Sequence, residues 1–467
     1  MTFPSSGDAA RVPRRVEPPP TERHDLRETF ALALPLILGQ LSSIGMNVID
    51  TLLAGHLNAH TLAAVAVGAG VWALAIVTAI GVMMAVPPTV AQLSGAGRRE
   101  RIGPVFRQAL WLALLLGTAL LLAVRFLSPL LLDAFGIDPD IVADTTKFLR
   151  AIAWGAPALT IYFALRGLSE GLALTRPTMY FGLFGLALLA PIGYMLMYGR
   201  FGFAARGAEG SGIATALVLW VQAIAMAVYL QRRSTYADVR PFARFEPPHW
   251  GEIGALLRLG VPMGVAVLME CALFVCTALL IASLGAVTVA SHQVAINVAS
   301  VTFMLPLGLA MATTVRVGYA AGRGDALGVR RAGMAGIALS LATQLVSASA
   351  MALFPLFIAR IYTDDAGVAT LAAQLLVLAA IFQFSDGIQV TANGALRGLK
   401  DTTVPMLITL FAYWMVGMPV GYWLAFHQQR GAAGMWMGLV AGLTTAAVLL
   451  LLRFLRVSRR PLARVDA

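Results

Sequence analysis

Long apolar segments, repeated along the chain, are the feature that most limits how this sequence can fold. Only 12% of its 467 residues are charged, and 59% are hydrophobic. A helix needs about 20 apolar residues to cross a bilayer, so these segments predict an all-α polytopic membrane protein. The twelve predicted spans cover approximately residues 29–55, 60–91, 105–127, 144–165, 178–199, 211–230, 255–284, 286–315, 332–354, 367–396, 402–426 and 432–452.

The two halves of the chain resemble each other at offsets of 225 to 231 residues. Pro35 in the first span corresponds to Pro262 in the seventh, and the sequence Ala-Leu-Arg-Gly-Leu occurs at both 164–168 and 395–399. Each half has six spans, so both halves start on the same membrane face and form two parallel six-helix repeats around a central cavity. The predicted domains are a disordered cytoplasmic tail (1–28), an N-terminal bundle (29–230), a cytoplasmic linker (231–252), a C-terminal bundle (253–453) and a second cytoplasmic tail (454–467).

The basic residues indicate how the chain is oriented. If the N-terminus is cytoplasmic, 27 of the 34 Lys and Arg residues flank the cytoplasmic side and seven flank the other side. This bias predicts a multi-pass protein of the bacterial inner membrane with both termini in the cytoplasm. The net charge of +11 is thus spread over seven membrane-flanking segments, which argues against a nucleic-acid partner.

Three acidic residues lie inside the apolar spans: Asp50, Glu270 and Asp386. An ionised carboxylate at mid-bilayer costs roughly 2.5 to 3.5 kcal/mol on insertion scales, so these acids predict an ion-coupling function. No basic residue is expected beside them in any span. Glu270 and Asp386 lie at about the same depth, roughly 17 Å from the cytoplasmic surface, and form the predicted ion site, with Asp50 coupled to substrate. The alternative is that neighbouring polar groups satisfy each acid as a packing device.

Other side chains of the spans are candidates for the wall of a substrate cavity. Gln293 and Asn297 share one face of the eighth span at helical spacing. We found no His-Glu-x-x-His, Gly-x-Ser-x-Gly or phosphate-binding Gly-x-x-x-x-Gly-Lys motif, so we expect neither an enzyme nor a bound cofactor, and an ion gradient as the energy source. The candidate cavity residues are Gln40, Ser43, Asn47, Gln293, Asn297 and Phe382.

Several motifs together resemble the NorM-like branch of the multidrug and toxic compound extrusion (MATE) family. They are Leu-Pro-Leu-Ile-Leu-Gly-Gln at 34–40, Asp-Thr-Leu-Leu-Ala-Gly at 50–55, Ser-His-Gln-Val-Ala-Ile-Asn at 291–297 and Asp-Gly-Ile-Gln-Val at 386–390. The resemblance implies an antiporter that exports small cationic, amphipathic compounds in exchange for H+ or Na+. It also implies that the acids of the first, seventh and tenth spans are essential, and these match Asp50, Glu270 and Asp386.

The sequence departs from the family pattern at two places. Leu189 and Gly193 stand where family members often carry two asparagines, and Phe382 stands where a tyrosine is a proposed cation ligand. Both changes weaken sodium coupling relative to proton coupling; if Na+ is the ion, Glu270 and Asp386 would be its ligands. The alternatives are a lipid-linked oligosaccharide flippase of the same superfamily and, in another class, a membrane-embedded enzyme. The expected partners are organic cations and membrane lipid, and the expected state is a monomer.

Overall fold

The computed structural model of the protein describes residues 22–134 and 139–459, and it confirms the all-helical polytopic fold. No strand occurs in these two ranges. Most of the predicted tails, residues 1–21 and 460–467, lies outside them. The helices are α1 (Glu22–Leu57), α2 (Ala59–Met83), α3 (Val86–Gly95), α4 (Arg99–Ala134), α5 (Pro139–Ala153), α6 (Ala156–Gly171), α7 (Arg176–Tyr198), α8 (Gly207–Arg232), α9 (Trp250–Ala282), α10 (Ala286–Gly322), α11 (Ala326–Leu353), α12 (Pro355–Tyr362), α13 (Ala366–Gly398), α14 (Thr403–Phe411), α15 (Met418–Tyr422) and α16 (Gly431–Val457).

Among the described residues, eleven helical stretches are long and apolar enough to cross a membrane. The pair α5 and α6, bent by 43° at a short break, is the twelfth if it is counted as one span. Two π-helical turns, Ala412–Gly417 and Trp423–His427, flank α15 within another span. Such turns widen a helix locally and occur frequently at functional sites.

Short polar caps end one helix and begin the next. The Asn58 side chain accepts a hydrogen bond from the Thr61 backbone N–H at 2.6 Å at the start of α2. Asp325 and Asp365 cap α11 and α13 in the same way. Each cap satisfies one of the backbone donors that a helix start leaves free, so the chain can reverse direction within a few residues.

The buried apolar residues form two large, separate cores. The first lies between residues 54 and 256, and the second lies between residues 273 and 454. We call α1–α8 the N lobe and α9–α16 the C lobe. A small third cluster joins them, in which α1 contributes Ala33, Leu36 and Ile37 and α10 contributes Leu309 and Ala312. Two bodies that share so little core can move relative to each other.

The lobes contact each other near the membrane face that carries both described chain ends, which we call the termini face. Arg316 of α10 donates to Asp25 Oδ1 at 2.5 Å and to Glu28 Oε2 at 2.9 Å on α1. The Gln92 amide of α3 donates to the Gly398 carbonyl at 2.8 Å. A Cβ on Gly95 would collide with the Tyr319 carbonyl oxygen, so α3 and α10 are in backbone contact. This side of the protein is therefore closed.

The Arg316 contacts also correct one predicted boundary. We assigned residues 22–28 to a disordered tail because the segment is charged, but α1 begins at Glu22. Asp25 and Glu28 lie in the first turns of the helix, where the helix dipole favours negative charge. Arg316 neutralises both acids, so this polar extension of the span is stable as a helix.

Towards the opposite face the lobes separate. Ile37 of α1 packs against Gly308 of α10. Asn47 lies ten residues after Ile37 on α1, and Asn297 lies eleven residues before Gly308 on the antiparallel α10. Both are exposed. The space between the lobes, which we call the central cleft, is therefore closed at the termini face and open at the opposite face.

The segment between α8 and α9 is fastened to the N lobe. Arg107 of α4 donates to Glu246 at 2.8 Å, and the Trp111 indole donates to the Glu246 carbonyl at 2.8 Å. Hydrogen bonds and charge from Arg107 and Arg244 hold the pKa of Glu246 down to about 2. The stabilisation from this ion pair is thus fully present at a pH above 4.5, the ordinary pKa of a glutamate. It is lost as the pH falls towards 2 and the Glu246 carboxylate becomes protonated. The linker is thus held against the N lobe, and Ile253 and Leu256 at the start of α9 pack in the same core.

We expect Arg316→Gln to open the termini face. The substitution removes charged hydrogen bonds to Asp25 and Glu28, which should cost the closed arrangement about 2 to 3 kcal/mol. Spin labels on exposed Glu100→Cys and Leu327→Cys, in a chain without its two native cysteines, would report the distance between the lobes.

The matched control is Arg330→Gln, which removes an exposed arginine on the same face. The label distance should lengthen or broaden in Arg316→Gln and stay unchanged in Arg330→Gln. Identical distributions in both variants would show that Arg316 does not hold the lobes together.

Candidate functional site

The N-lobe acid, Asp50, lies on α1 against α8. Its two carboxylate oxygens accept hydrogen bonds from Ser211 Oγ at 2.9 Å and from Thr215 Oγ1 at 3.1 Å. Ser211 and Thr215 are one helical turn apart, so both hydroxyls point from α8 to the same place. The two donors offset part of the cost of the charge and fix the direction of the carboxylate.

A second polar group lies deeper on the same stripe of α1. Gln40 accepts a hydrogen bond from Arg166 of α6 at 2.9 Å, and Arg166 also pairs with Glu170 at 2.5 Å. Arg166 and Glu170 are both buried, although the charge count places Arg166 among the residues that flank the cytoplasmic side. Gln40 is thus held by an ion pair inside the N lobe, and Arg166 also reaches the Met311 sulfur of the C lobe at 3.8 Å.

The two C-lobe acids are brought together, as their equal depth predicted. Glu270 of α9 and Asp386 of α13 interact electrostatically, and Tyr413 in the first π-helical turn interacts with both. Asp386 is only 3% exposed and makes no side-chain hydrogen bond to a described residue. Glu270 is half-buried. The C lobe therefore holds a pair of acids with much less hydrogen bonding than Asp50 has.

The expectation that no basic residue accompanies the acids is wrong for Glu270. Arg397, in the last turn of α13, is buried and interacts electrostatically with it. We had counted Arg397 as a membrane-flanking residue because it lies at a span end. Burial of the end of α13 against α10 and α3 places the guanidinium inside the lobe instead.

Several buried polar atoms near these acids have no hydrogen-bond partner among the described residues. They are Gln389 Oε1, Thr391 Oγ1, Arg397 Nε and the Tyr413 hydroxyl. Tyr413 and Gln389 are close enough to interact, but not with the geometry of a hydrogen bond. Such atoms are rare in native interiors because each is costly. Their concentration here indicates a place that water or an ion can enter.

The described residues contain no group of three or more His, Cys, Asp or Glu side chains that could hold a metal ion. Glu270 and Asp386 would therefore have to complete a sodium site with neutral oxygen atoms. Gln389, which interacts with Tyr413 beside the acids, offers such an oxygen, whereas Arg397 places a positive charge near Glu270.

Phe382 lies in an aromatic cluster rather than on an open wall. Its ring centroid is 5.8 Å from that of Trp436 and 6.2 Å from that of Phe274, and its side chain is 3% exposed. The Trp436 indole N–H in turn lies 3.2 Å from His292 Nδ1. The structure thus places Phe382 behind the cleft surface.

Four other predicted cavity residues are exposed on α1 and α10, the helices that border the central cleft. Ser43 and Asn47 are exposed on α1, on the stripe that also carries Gln40 and Asp50. Gln293 and Asn297 are exposed on α10, and the Gln293 amide donates to the Asn297 side chain at 3.1 Å, as expected for one helix face. Amide and hydroxyl groups are therefore exposed on helices of both lobes that border the cleft.

Ser211 and Thr215 were not identified from the sequence. Leu189 and Gly193, the positions at which the family often has asparagines, instead pack against α1 and α8 through apolar contacts. The polar partners of Asp50 thus come from α8 and not from α7. The only available signal was a serine and a threonine four residues apart in an apolar span, which is common in membrane helices.

The family model MatE matches this chain twice, over residues 35–195 and 262–423. The chain is 53% identical to the probable multidrug resistance protein NorM of Xanthomonas campestris pv. campestris over 93% of its length and 95% of that protein. It is 42% identical to the multidrug resistance protein PmpM of Pseudomonas aeruginosa, over 94% and 93% of the two chains.

Solved structures share the fold at low sequence identity. An outward-facing conformation of a multidrug resistance MATE family transporter of the MOP superfamily superposes with a TM-score of 0.86 at 21% identity, covering 93% of this chain and 96% of that one. A eukaryotic MATE transporter superposes with a TM-score of 0.83 at 19% identity, covering 94% and 99%.

The hydrogen bonds to Asp50 can be tested by measuring the free energy of unfolding of a variant that lacks one donor. Thr215→Val keeps the side-chain shape and removes one charged hydrogen bond, so it should lower the free energy of unfolding by about 1.5 to 3 kcal/mol. The control is Thr445→Val, whose hydroxyl bonds only to its own helix at Ala441. Unfolding by sodium dodecyl sulfate in mixed micelles would measure both, and equal losses would contradict the contact.

Proposed function

This chain belongs to the MatE family of multidrug transporters, and on that premise we propose that it exports cationic, amphipathic organic compounds in exchange for an ion. It is a multidrug efflux transporter and not an enzyme. The observation that carries the proposed exchange is the placement of the acids. Each lobe holds its own carboxylate site in an apolar interior, beside a cleft closed at the termini face.

Exchange follows if each ligand changes the charge of the carboxylates. An ionised acid in the apolar interior is strongly stabilised when it binds a proton or a cationic substrate. When the ion and the substrate compete for the acids, or favour different arrangements of the lobes, binding of one promotes release of the other. The cleft that opens away from the termini face is the releasing arrangement in this scheme.

We propose that the coupling ion is a proton. Arg397 offers a positive charge to Glu270, and that charge would repel Na+ from the same carboxylate. A proton needs only one carboxylate oxygen, whereas Na+ needs several oxygen ligands that the acid pair alone does not supply. Asp386 is buried and has no side-chain hydrogen bond within the described ranges, so it is the acid that a proton would stabilise most.

The opposite face is then the periplasmic side of the inner membrane, and both termini are cytoplasmic. The distribution of Lys and Arg supports this orientation, because 27 of 34 fall in segments at the cytoplasmic ends of the predicted spans, although Arg166 and Arg397 among them are buried in the lobes. The two separate cores support function as a monomer, since the two lobes that must move are both in one chain.

Removal of the acids tests the coupling. Glu270→Gln and Asp386→Asn should each lower the rate of ethidium efflux from cells by about 5- to 150-fold, the range of a typical coupling free energy, and Asp50→Asn should also lower it. Efflux by the unmodified protein should stop with a protonophore and continue in sodium-free buffer. Fluorescence of accumulated ethidium would measure each rate.

Asp364→Asn is the matched control, since it removes an exposed acid in the loop before α13. It should transport normally. Full efflux by Glu270→Gln and Asp386→Asn at normal membrane abundance would contradict the coupling role, and arrest only in sodium-free buffer would identify Na+ as the ion.

Orientation can be measured separately. Single cysteines at exposed Ser234, in the linker, and at Asp364 should lie on opposite sides of the membrane. In intact spheroplasts whose two native cysteines are replaced, an impermeant maleimide should label Asp364→Cys at once. Ser234→Cys should react only after lysis. The reverse pattern would place the termini outside.

A further inference from the structure

A groove with a volume of about 560 Å³ lies on the N lobe near the opposite face. It runs between α5 and α8 beneath α4, and it does not include Asp50 or any other residue that we place in the central cleft. Its volume is within the range of small-molecule sites, about 300 to 1,000 Å³. The side chains that give it chemical character are Arg125, Lys147, Arg150, Trp154, Glu209 and Trp220.

The groove carries uncompensated positive charge. Lys147 pairs with Asp144 at 2.9 Å, and Glu209 pairs with Arg206 at 3.6 Å. Arg125 and Arg150 have no ion pair or hydrogen bond within the part of the chain that the structure describes. Glu209 also lines the groove, but no acid pairs with either guanidinium, so Arg125 and Arg150 together are complementary to an anion.

The groove is also divided by polarity along its length. Glu209 and Trp220 are eleven residues apart on α8, which is about 16 Å of helix. On α5, Lys147 and Arg150 precede Trp154 by seven and four residues, so the cations lie nearer the opposite face than Trp154, with Arg150 about one helical turn from it. The Trp220 indole donates to the Trp154 carbonyl at 2.9 Å, and Trp154 is 59% exposed. An occupant would therefore meet cations at one end and an open apolar surface at the other.

We propose that this groove binds an anionic glycerophospholipid. Its phosphodiester contacts Arg125 and Arg150, and one acyl chain lies along Trp154 and Trp220. Tryptophan is enriched at membrane interfaces, and basic pockets between membrane helices bind anionic headgroups. A free phosphate would use the arginines and leave the apolar half of the groove empty.

Quenching of tryptophan fluorescence by brominated lipids tests this proposal, because Trp154 and Trp220 line the groove. The full chain would be placed in phosphatidylcholine nanodiscs doped with brominated phosphatidylglycerol or with brominated phosphatidylcholine. We expect more quenching by phosphatidylglycerol at equal mole fraction. A double variant, Trp154→Phe with Trp220→Phe, should abolish this excess, which would assign it to the groove.

The charge requirement is tested by substitution. Arg150→Gln, at an exposed position that tolerates the change, should weaken phosphatidylglycerol binding about fivefold, and adding Arg125→Gln should weaken it about fivefold again. The control pair, Arg200→Gln with Arg360→Gln, removes two exposed arginines near the same face outside the groove and should bind normally.

Three results would overturn the proposal. Equal quenching by both lipids would show that the groove does not select an anionic headgroup. Unchanged selectivity in the double arginine variant would show that Arg125 and Arg150 do not bind it. Full competition by millimolar glycerol phosphate would show that the site takes a free phosphate and not a lipid. None of these results depends on ethidium efflux, so they leave the transport function to its own test.

Discussion

The high cost of a carboxylate charge in an apolar interior is the constraint on which this structure depends. The protein meets it differently in each lobe. Asp50 receives two hydroxyl donors from α8, whereas Glu270 has the charge of Arg397 nearby and the Asp386 side chain has no hydrogen bond from a described residue. None of the three acids is fully exposed, and the C-lobe pair is only partly satisfied by its neighbours. A group in that condition responds strongly to any cation that reaches it, which is what a coupled transporter requires.

The internal repeat explains the scaffold but not the site. Both halves use six spans with similar prolines and turns, and the family model matches each half separately. The position in the C lobe that corresponds to Asp50 is Thr277, a buried residue whose hydroxyl has no partner among the described residues. Equivalent helices therefore carry different chemistry. This asymmetry allows one lobe to bind an ion while the other presents a different polar surface to substrate.

The spans, their approximate ends and the three acids could be predicted because each depends on local sequence. Apolar length identifies a span, and an acid inside it stands out at once. The pairing of Gln293 with Asn297 followed from helical spacing alone. Contacts such as Glu270 with Arg397 join helices more than 100 residues apart, and no local pattern encodes which faces meet.

The errors have the same physical origin. Arg166 and Arg397 are near span ends, so their hydropathy context suggested the membrane surface, but neighbouring helices bury them. Phe382 was placed in the cavity by its position in the tenth span, yet packing with Trp436 turns it into the lobe. In each case contacts with other helices determine how far the side chain is buried. A single sequence carries little information about those contacts.

The contact between α3 and α10 at Gly95 has a consequence for the speed of the cycle. Where two helices meet through backbone atoms, no side chain is inserted between residues of the other helix. The helices can therefore separate there without repacking side chains and without creating a cavity. The barrier to separation then comes from polar contacts, such as those of Arg316 and Gln92, and from the small apolar cluster of α1 and α10. Backbone contact of this kind therefore favours fast separation of α3 from α10. The free energy gained by neutralising one carboxylate is large enough to drive that separation.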